Sequence, residues 1–233
     1  MAIMCHVIVT GVDGCAVGWV AVTLGPENSP AATEVRTAVA KTLDELPLTS
    51  VTGIDMPLGL LDAGWRDADL LARRALGRRG ATVFAIPPQA AWDCETYAEA
   101  NRVCRDLTGK GFSVQAWGLR RKIAEADDFR RRARSAPFPV RLYEVHPELS
   151  FTAMAGAPLP DSKHTAAGRA VRRALLAAEG ITVGIRVTGA AEDDLLDAAA
   201  VAWSARRIAV GQASVLTSPA QRAADGSEIA IRY

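Results

Sequence analysis

The sequence predicts an α/β fold with a mixed sheet, and three observations carry that expectation. Residues 6–12 and 19–24 are apolar and rich in β-branched side chains, and Gly14 and Gly18 bracket the reversal between them, the pattern of a hairpin. A second apolar strand, Val51-Thr52-Gly53-Ile54-Asp55, is stopped by Pro57 and lies far enough along the chain for a crossover to set it parallel to the first. Helical spacing of apolar residues then dominates, ending in a strong helical element over 192–210.

Taken in order, the hairpin places Asp13 at the end of an otherwise apolar strand. An Asp-Gly pair is by itself a common turn former, yet an ionised group buried there needs a cation or hydrogen-bond donors to meet it. Residues 33–40 alternate and predict a third strand, joined through a turn at Pro26, Asn28, Ser29 and Pro30, which makes a three-stranded meander. Residues 41–46 form one helical turn ended by Pro47. If the strands at Gly11-Val12-Asp13 and Gly53-Ile54-Asp55 are parallel neighbours, both acids reach the same sheet edge.

Residues 62–139 read as a basic, mostly helical insert within a single domain spanning 1–233. From Asp62 to Arg141 there are 16 Lys and Arg against 10 Asp and Glu, so this third carries +6 in a chain whose net charge is only +1. Helices are expected at 66–79, 96–107 and 115–135, with an extended rim over 80–88 that Pro87 and Pro88 keep out of a central strand. Strand chemistry returns at 140–147, where alternation puts Glu144, His146 and Glu148 on one side, and a short helix opens at Pro147. Thr165 is a fitting N-cap for a helix over 166–179, stopped by Gly180. At the head of 192–210 stand four acids, which a helix N-terminus favours, but Asp194 and Asp197 are three apart and share a face that continues into Ala198 and Val201. The tail has a turn at 225–227 and a strand over 228–233, without an assigned role.

Composition narrows the function classes. At 49 % hydrophobic and 23 % charged, the chain is neither disordered nor fibrous. Residues 1–9 have no basic flank and are too short to span a bilayer, so a signal peptide and a membrane anchor are rejected and the cytoplasm is expected. Cys5, Cys15, Cys94 and Cys104 lack C-x-x-C spacing, which argues for reduced thiols and against zinc.

The acids that close apolar elements, Asp13, Asp55, Asp194 and Asp197, with Glu144 beside them, form a set of hard oxygen ligands. Gathered in space they would repel one another unless divalent ions neutralised them, and Mg²⁺ or Mn²⁺ fits such ligands. Two ions about 4 Å apart suit phosphodiester cleavage. His146 reads equally as a general base or ligand and as a hydrogen-bonded structural histidine.

Several motifs in fixed order carry a resemblance. They are Gly11-Val12-Asp13-Gly14-Cys15 with Gly18-Trp19, Gly53-Ile54-Asp55-Met56-Pro57-Leu58-Gly59, Arg66 with Asp69, Leu76-Gly77-Arg78-Arg79-Gly80-Ala81-Thr82-Val83-Phe84, Tyr143-Glu144-Val145-His146-Pro147-Glu148, Lys163 with Gly168-Arg169, and Asp193-Asp194-Leu195-Leu196-Asp197-Ala198. With them the chain resembles an uncharacterised family of predicted nucleases with an RNase H-like fold, within the ribonuclease H and RuvC-type resolvase superfamily. That resemblance implies a five-stranded mixed sheet of order 3-2-1-4-5 flanked by helices, with the insert between strands 4 and 5. It implies a Mg²⁺- or Mn²⁺-dependent nuclease with Asp13, Asp55, Asp194 and Asp197 as metal ligands and catalytic residues. Glu144 joins the catalytic set through the narrower family alone. Arg66, Arg73, Arg78, Arg79, Lys163 and Arg169 would then hold substrate phosphates. The implied partner is nucleic acid, DNA or RNA, with no membrane, and a homodimer like that of junction resolvases is compatible with it. Two other readings stay open: a small-molecule phosphotransferase or phosphatase of the actin-like type, and a non-catalytic module that binds nucleic acid or protein.

Overall fold

The computed structural model describes residues 7–29, 32–137, 139–223 and 225–233. Residues 1–6, which include Cys5 and most of the segment weighed as a leader, and Pro30 of the expected turn lie outside the described residues.

Strands β1 (Val9–Gly14), β2 (Trp19–Ser29) and β3 (Ala32–Ala40) form an antiparallel meander. On the other side of β1, β4 (Val51–Ile54) pairs with it in parallel, and β5 (Arg141–Glu144) pairs in parallel with β4. The sheet is therefore mixed, with the order β3-β2-β1-β4-β5. β1 is central, and its Val9, Thr10 and Val12 are fully buried, as expected of a strand covered on both faces. The one polar side chain among these, Thr10, has its hydroxyl within hydrogen-bond distance of those of Thr23 and Thr49, at 3.2 and 3.1 Å.

Between β4 and β5 run α1 (Asp67–Leu76), α2 (Gln89–Trp92), α3 (Tyr97–Thr108), α4 (Val114–Gly118) and α5 (Arg120–Arg134). Two boundaries differ from the sequence reading. The first helix stops at Leu76 because Gly77 takes φ +52° and turns the chain into a 3₁₀ segment, Gly77–Thr82, where an extended rim was expected from residue 80. The expected helix over 115–135 is two helices that break at Leu119, the first capped by Ser113, whose Oγ accepts from Ala116 N–H. After β5 come α6 (Pro147–Ala155), α7 (Ala166–Ala178) and α8 (Glu192–Ala209). The tail is a hairpin of β6 (Val215–Arg222) and β7 (Glu228–Arg232), of which only the second strand was expected. Pro219 and the register shift between Leu216 and Gln221 interrupt the pattern that would have marked β6.

The helices cover both sheet faces. On one, Leu195, Ala198, Ala199 and Ala202 of α8 pack with Val9, Val22 and Leu24. On the other, Ile123, Ala126 and Phe129 of α5 pack with Val12, Trp19, Ile54 and Leu142. The alternation of β1 thus assigns Val9, Gly11 and Asp13 to the α8 side. Gly11 and Gly53 are paired across β1 and β4, and both lie beneath α8. A Cβ on Gly11 would collide with the backbone of Ala198 and Ala202, and one on Gly53 would press on Val201. These two glycines let α8 sit against the sheet at backbone distance, and each is two residues before an aspartate.

Candidate metal centre

The register of β1 and β4 brings the first two acids together. Val12 pairs with Ile54, and Asp55 N–H donates to Val12 O at 2.9 Å, so Asp13 and Asp55 leave adjacent parallel strands at one level. Both face α8 by the same two-residue alternation that faces Gly11 and Gly53 to it. Ala198 of α8 rests on Gly11, which sets the preceding residue, Asp197, beside the two acids. Carboxylate oxygens of Asp13, Asp55 and Asp197 all lie within 4.8 Å of one another, the one such gathering of three His, Cys, Asp or Glu side chains among the described residues. Asp13 and Asp197 are buried and Asp55 is half-buried.

Electrostatics mark the three as a set. Burial pushes Asp13 well above the usual carboxylate range, and the charges of Asp55 and Asp197 push it further. Burial raises Asp55 to about 7 and Asp197 to about 6, with Lys163 pulling each back. Lys163 Nζ lies 2.5 Å from Asp197 Oδ2. The other oxygen, Asp197 Oδ1, is buried and has no hydrogen-bond partner among the described residues. A buried oxygen without a partner, in a set made only of carboxylate oxygens, fits a hard divalent cation.

Asp194 does not join the triad. It is half-buried at the first turn of α8, where its Oδ2 accepts from Ala191 N–H at 3.2 Å and so caps the helix start. Glu144 is also committed elsewhere. Both its oxygens lie 2.5 Å from Arg66 Nη2, and Oε2 also accepts from Leu58 N–H at 2.8 Å. Arg66, expected to hold phosphate, is 1 % exposed and serves Glu144 and Asp69 instead. Of the other basic residues in that expectation, Arg73 and Arg78 are exposed, Arg79 reaches Glu148 Oε1 at 3.1 Å, and Arg169 binds Glu192 Oε2 at 3.1 Å. Lys163 contacts the triad itself.

Two neighbours of the triad have no single role that the sequence assigns. Glu148, at the start of α6, accepts on Oε1 from the buried Arg172 at 2.6 Å, and its charge raises both Asp55 and Asp197. As an acid just after a proline at a helix start it looks like an ordinary dipole partner, and nothing in the sequence pairs it with an arginine 24 residues on. His146 has a buried Nδ1 without a partner among the described residues, and burial lowers its pKa. A cavity of about 200 Å³ opens beside the acids, with Asp13, Asp55, His146, Phe84, Met56 and Lys122 in its walls. Lys122 closes one side by donating to the carbonyls of Cys15 and Gly18.

No cysteine among Cys15, Cys94 and Cys104 is bridged, and no helix among the described residues is long and apolar enough to cross a membrane. The family described as "Protein of unknown function (DUF429)" matches residues 11–222. No curated protein and no solved structure matches the chain.

Proposed function

The chain belongs to the family of proteins of unknown function DUF429, and from the acids at the end of its sheet we propose that it is a divalent-metal-dependent nuclease that hydrolyses phosphodiester bonds of nucleic acid. The observation that carries this reading is the triad of Asp13, Asp55 and Asp197, three carboxylates within 4.8 Å in a largely buried setting. A protein does not assemble three like charges away from water without a counter-charge. The strand order and the positions of these acids on β1, after β4 and in α8 agree with what the resemblance to RNase H-like nucleases implies.

In this reading Asp13, Asp55 and Asp197 hold Mg²⁺ or Mn²⁺. When bound, the ion makes water a competent nucleophile near neutral pH and stabilises charge on phosphate oxygens. Asp197 is positioned by α8 and Asp13 by β1, both built into the core, so the donor set is fixed before substrate arrives. His146 and Phe84 wall the adjoining cavity, and His146 Nδ1 is available to a hydrogen-bond donor there. Exposed Arg73 and Arg78, with the +6 charge of residues 62–141, supply a field that attracts a polyanion.

The test is cleavage of single-stranded, duplex and hybrid oligonucleotides by the purified protein with Mg²⁺ or Mn²⁺. The wild type cuts at least one class and loses activity in chelator, and Asp13→Asn is inactive while folded. Cleavage by Asp13→Asn at the wild-type rate, or no cleavage of any class by the wild type, contradicts the proposal.

A further inference from the structure

We propose that Lys163 stands in the place of a second cation, so that the centre takes one divalent ion rather than two. This rests on the metal-dependent reading of the triad and goes beyond it by fixing the number of ions and the role of a lysine.

Geometry comes first. Lys163 Nζ contacts Asp197 Oδ2 at 2.5 Å, while Asp197 Oδ1 is buried and unpartnered among the described residues. One oxygen of this carboxylate is thus taken by an ammonium and the other is left without a partner among the described residues, in a residue gathered within 4.8 Å of Asp13 and Asp55.

The lysine is built in. It lies in the segment between α6 and α7, two residues before the Thr165 cap of α7, whose Oγ1 accepts from Gly168 N–H at 3.0 Å and donates to Ser162 O at 2.9 Å. Arg169 Nη1 donates to His164 O at 2.9 Å, and Arg169 Nε binds Glu192 at the start of α8 at 3.1 Å. Gly168 leaves no room for a Cβ against Ser162 O, so this turn is clamped to the helix behind it. The backbone that delivers Lys163 is therefore tied to the same helix that delivers Asp197.

Charge then sets the count. Three carboxylates and one ammonium leave two negative charges, which one divalent ion cancels. Of the other acids nearby, Glu148 pairs through Oε1 with Arg172 and Arg79, Glu144 pairs with Arg66, and Asp194 accepts from Ala191 N–H. A second ion at the triad would have to displace Lys163 or add positive charge to three carboxylates that Lys163 and the first ion already balance.

The experiment counts Mn²⁺ bound by the whole chain without substrate, by electron paramagnetic resonance of free ion during titration. The wild type and the charge-keeping Lys163→Arg bind one ion per chain, and Lys163→Gln binds two. Two ions in the wild type, visible also as a spin-coupled pair in excess Mn²⁺, or one ion in wild type and Lys163→Gln alike, overturns the role given to Lys163. Should Lys163→Gln not fold, the wild-type count and the absence or presence of the coupled pair still decide. Absence of any saturable ion in the wild type overturns instead the metal-dependent reading on which the inference stands.

Discussion

Asp13 and Asp55 sit side by side at the ends of parallel β1 and β4, locked at that level by the 2.9 Å bond from Asp55 N–H to Val12 O. Their proximity is a property of backbone register, not of flexible side chains finding each other. Everything chemical about the site follows from it, because α8 then needs to add only one acid to complete a ligand set.

The triad makes metal-free stability depend on pH. Asp55 and Asp197 titrate near 7 and 6 in the folded chain, and Asp13 is raised as well, whereas all three ionise near pH 4 when unfolded. Between those values the folded state binds more protons than the unfolded one, so stability falls as pH rises. Asp44, Glu192 and Asp225, held low, act in the opposite sense only at more acid pH. His146, held low by burial, acts in the opposite sense below about 6.5, and Glu144, raised by burial to about 7, adds to the fall. In chelator, the melting temperature drops between pH 5 and pH 8 by about 4–8 °C, the equivalent of roughly 2 kcal/mol in a chain of this size. Mn²⁺ removes the triad's share of that drop and leaves the share of Glu144. A flat profile in chelator contradicts the burial of ionised acids.

Gly11→Ala tests the close approach of α8. Its methyl group has no space beneath Ala198 and Ala202, and backbone, unlike a side-chain tip, cannot swing aside. Denaturant unfolding should show a loss of about 1–3 kcal/mol or more, together with weaker Mn²⁺ binding, because moving α8 moves Asp197. Normal metal affinity in a destabilised Gly11→Ala protein would separate the helix position from the site.

Arg66→Met strands Glu144 and Asp69 in the core. Removing one partner of a buried ion pair costs about 3–5 kcal/mol, and the variant is expected to unfold at far lower urea than the wild type. A loss under about 1 kcal/mol, with selective loss of nucleic-acid affinity, would instead return Arg66 to the phosphate-binding role expected from sequence.

Asp194 and Asp197 should behave differently despite sharing a helix face. Asp194→Ala loses a helix cap, about 1 kcal/mol, and keeps most of its Mn²⁺ affinity, whereas Asp197→Ala loses the ion. Equal loss of the ion in both variants, measured by calorimetric titration, contradicts the separation.

That pair shows where the sequence stops being legible. The Gly-x-Asp repeats at 11–13 and 53–55 exposed two strands and their acids, because period-two alternation and strand ends are local signals, whereas their parallel pairing was only a condition the chain length allowed. Residues 194 and 197 are equivalent on a helix face at three-residue spacing, and only the docking of Ala198 on Gly11 decides which acid points into the site. Arg66 and Glu144 are 78 residues apart, and nothing local distinguishes a buried arginine from the exposed Arg73 and Arg78. Lys163 is expected from sequence to hold phosphate, and its contact with an acid depends on how α7 packs against α8. The β6 strand was hidden by its own irregular register.

The central claim, that three acids from β1, β4 and α8 hold a divalent ion, is tested most directly by an anomalous difference map from a crystal soaked in Mn²⁺. The expected result is a peak within bonding distance, about 2 Å, of oxygens from Asp13, Asp55 and Asp197. A map with no peak there, or with manganese bound only at other carboxylates, would contradict it.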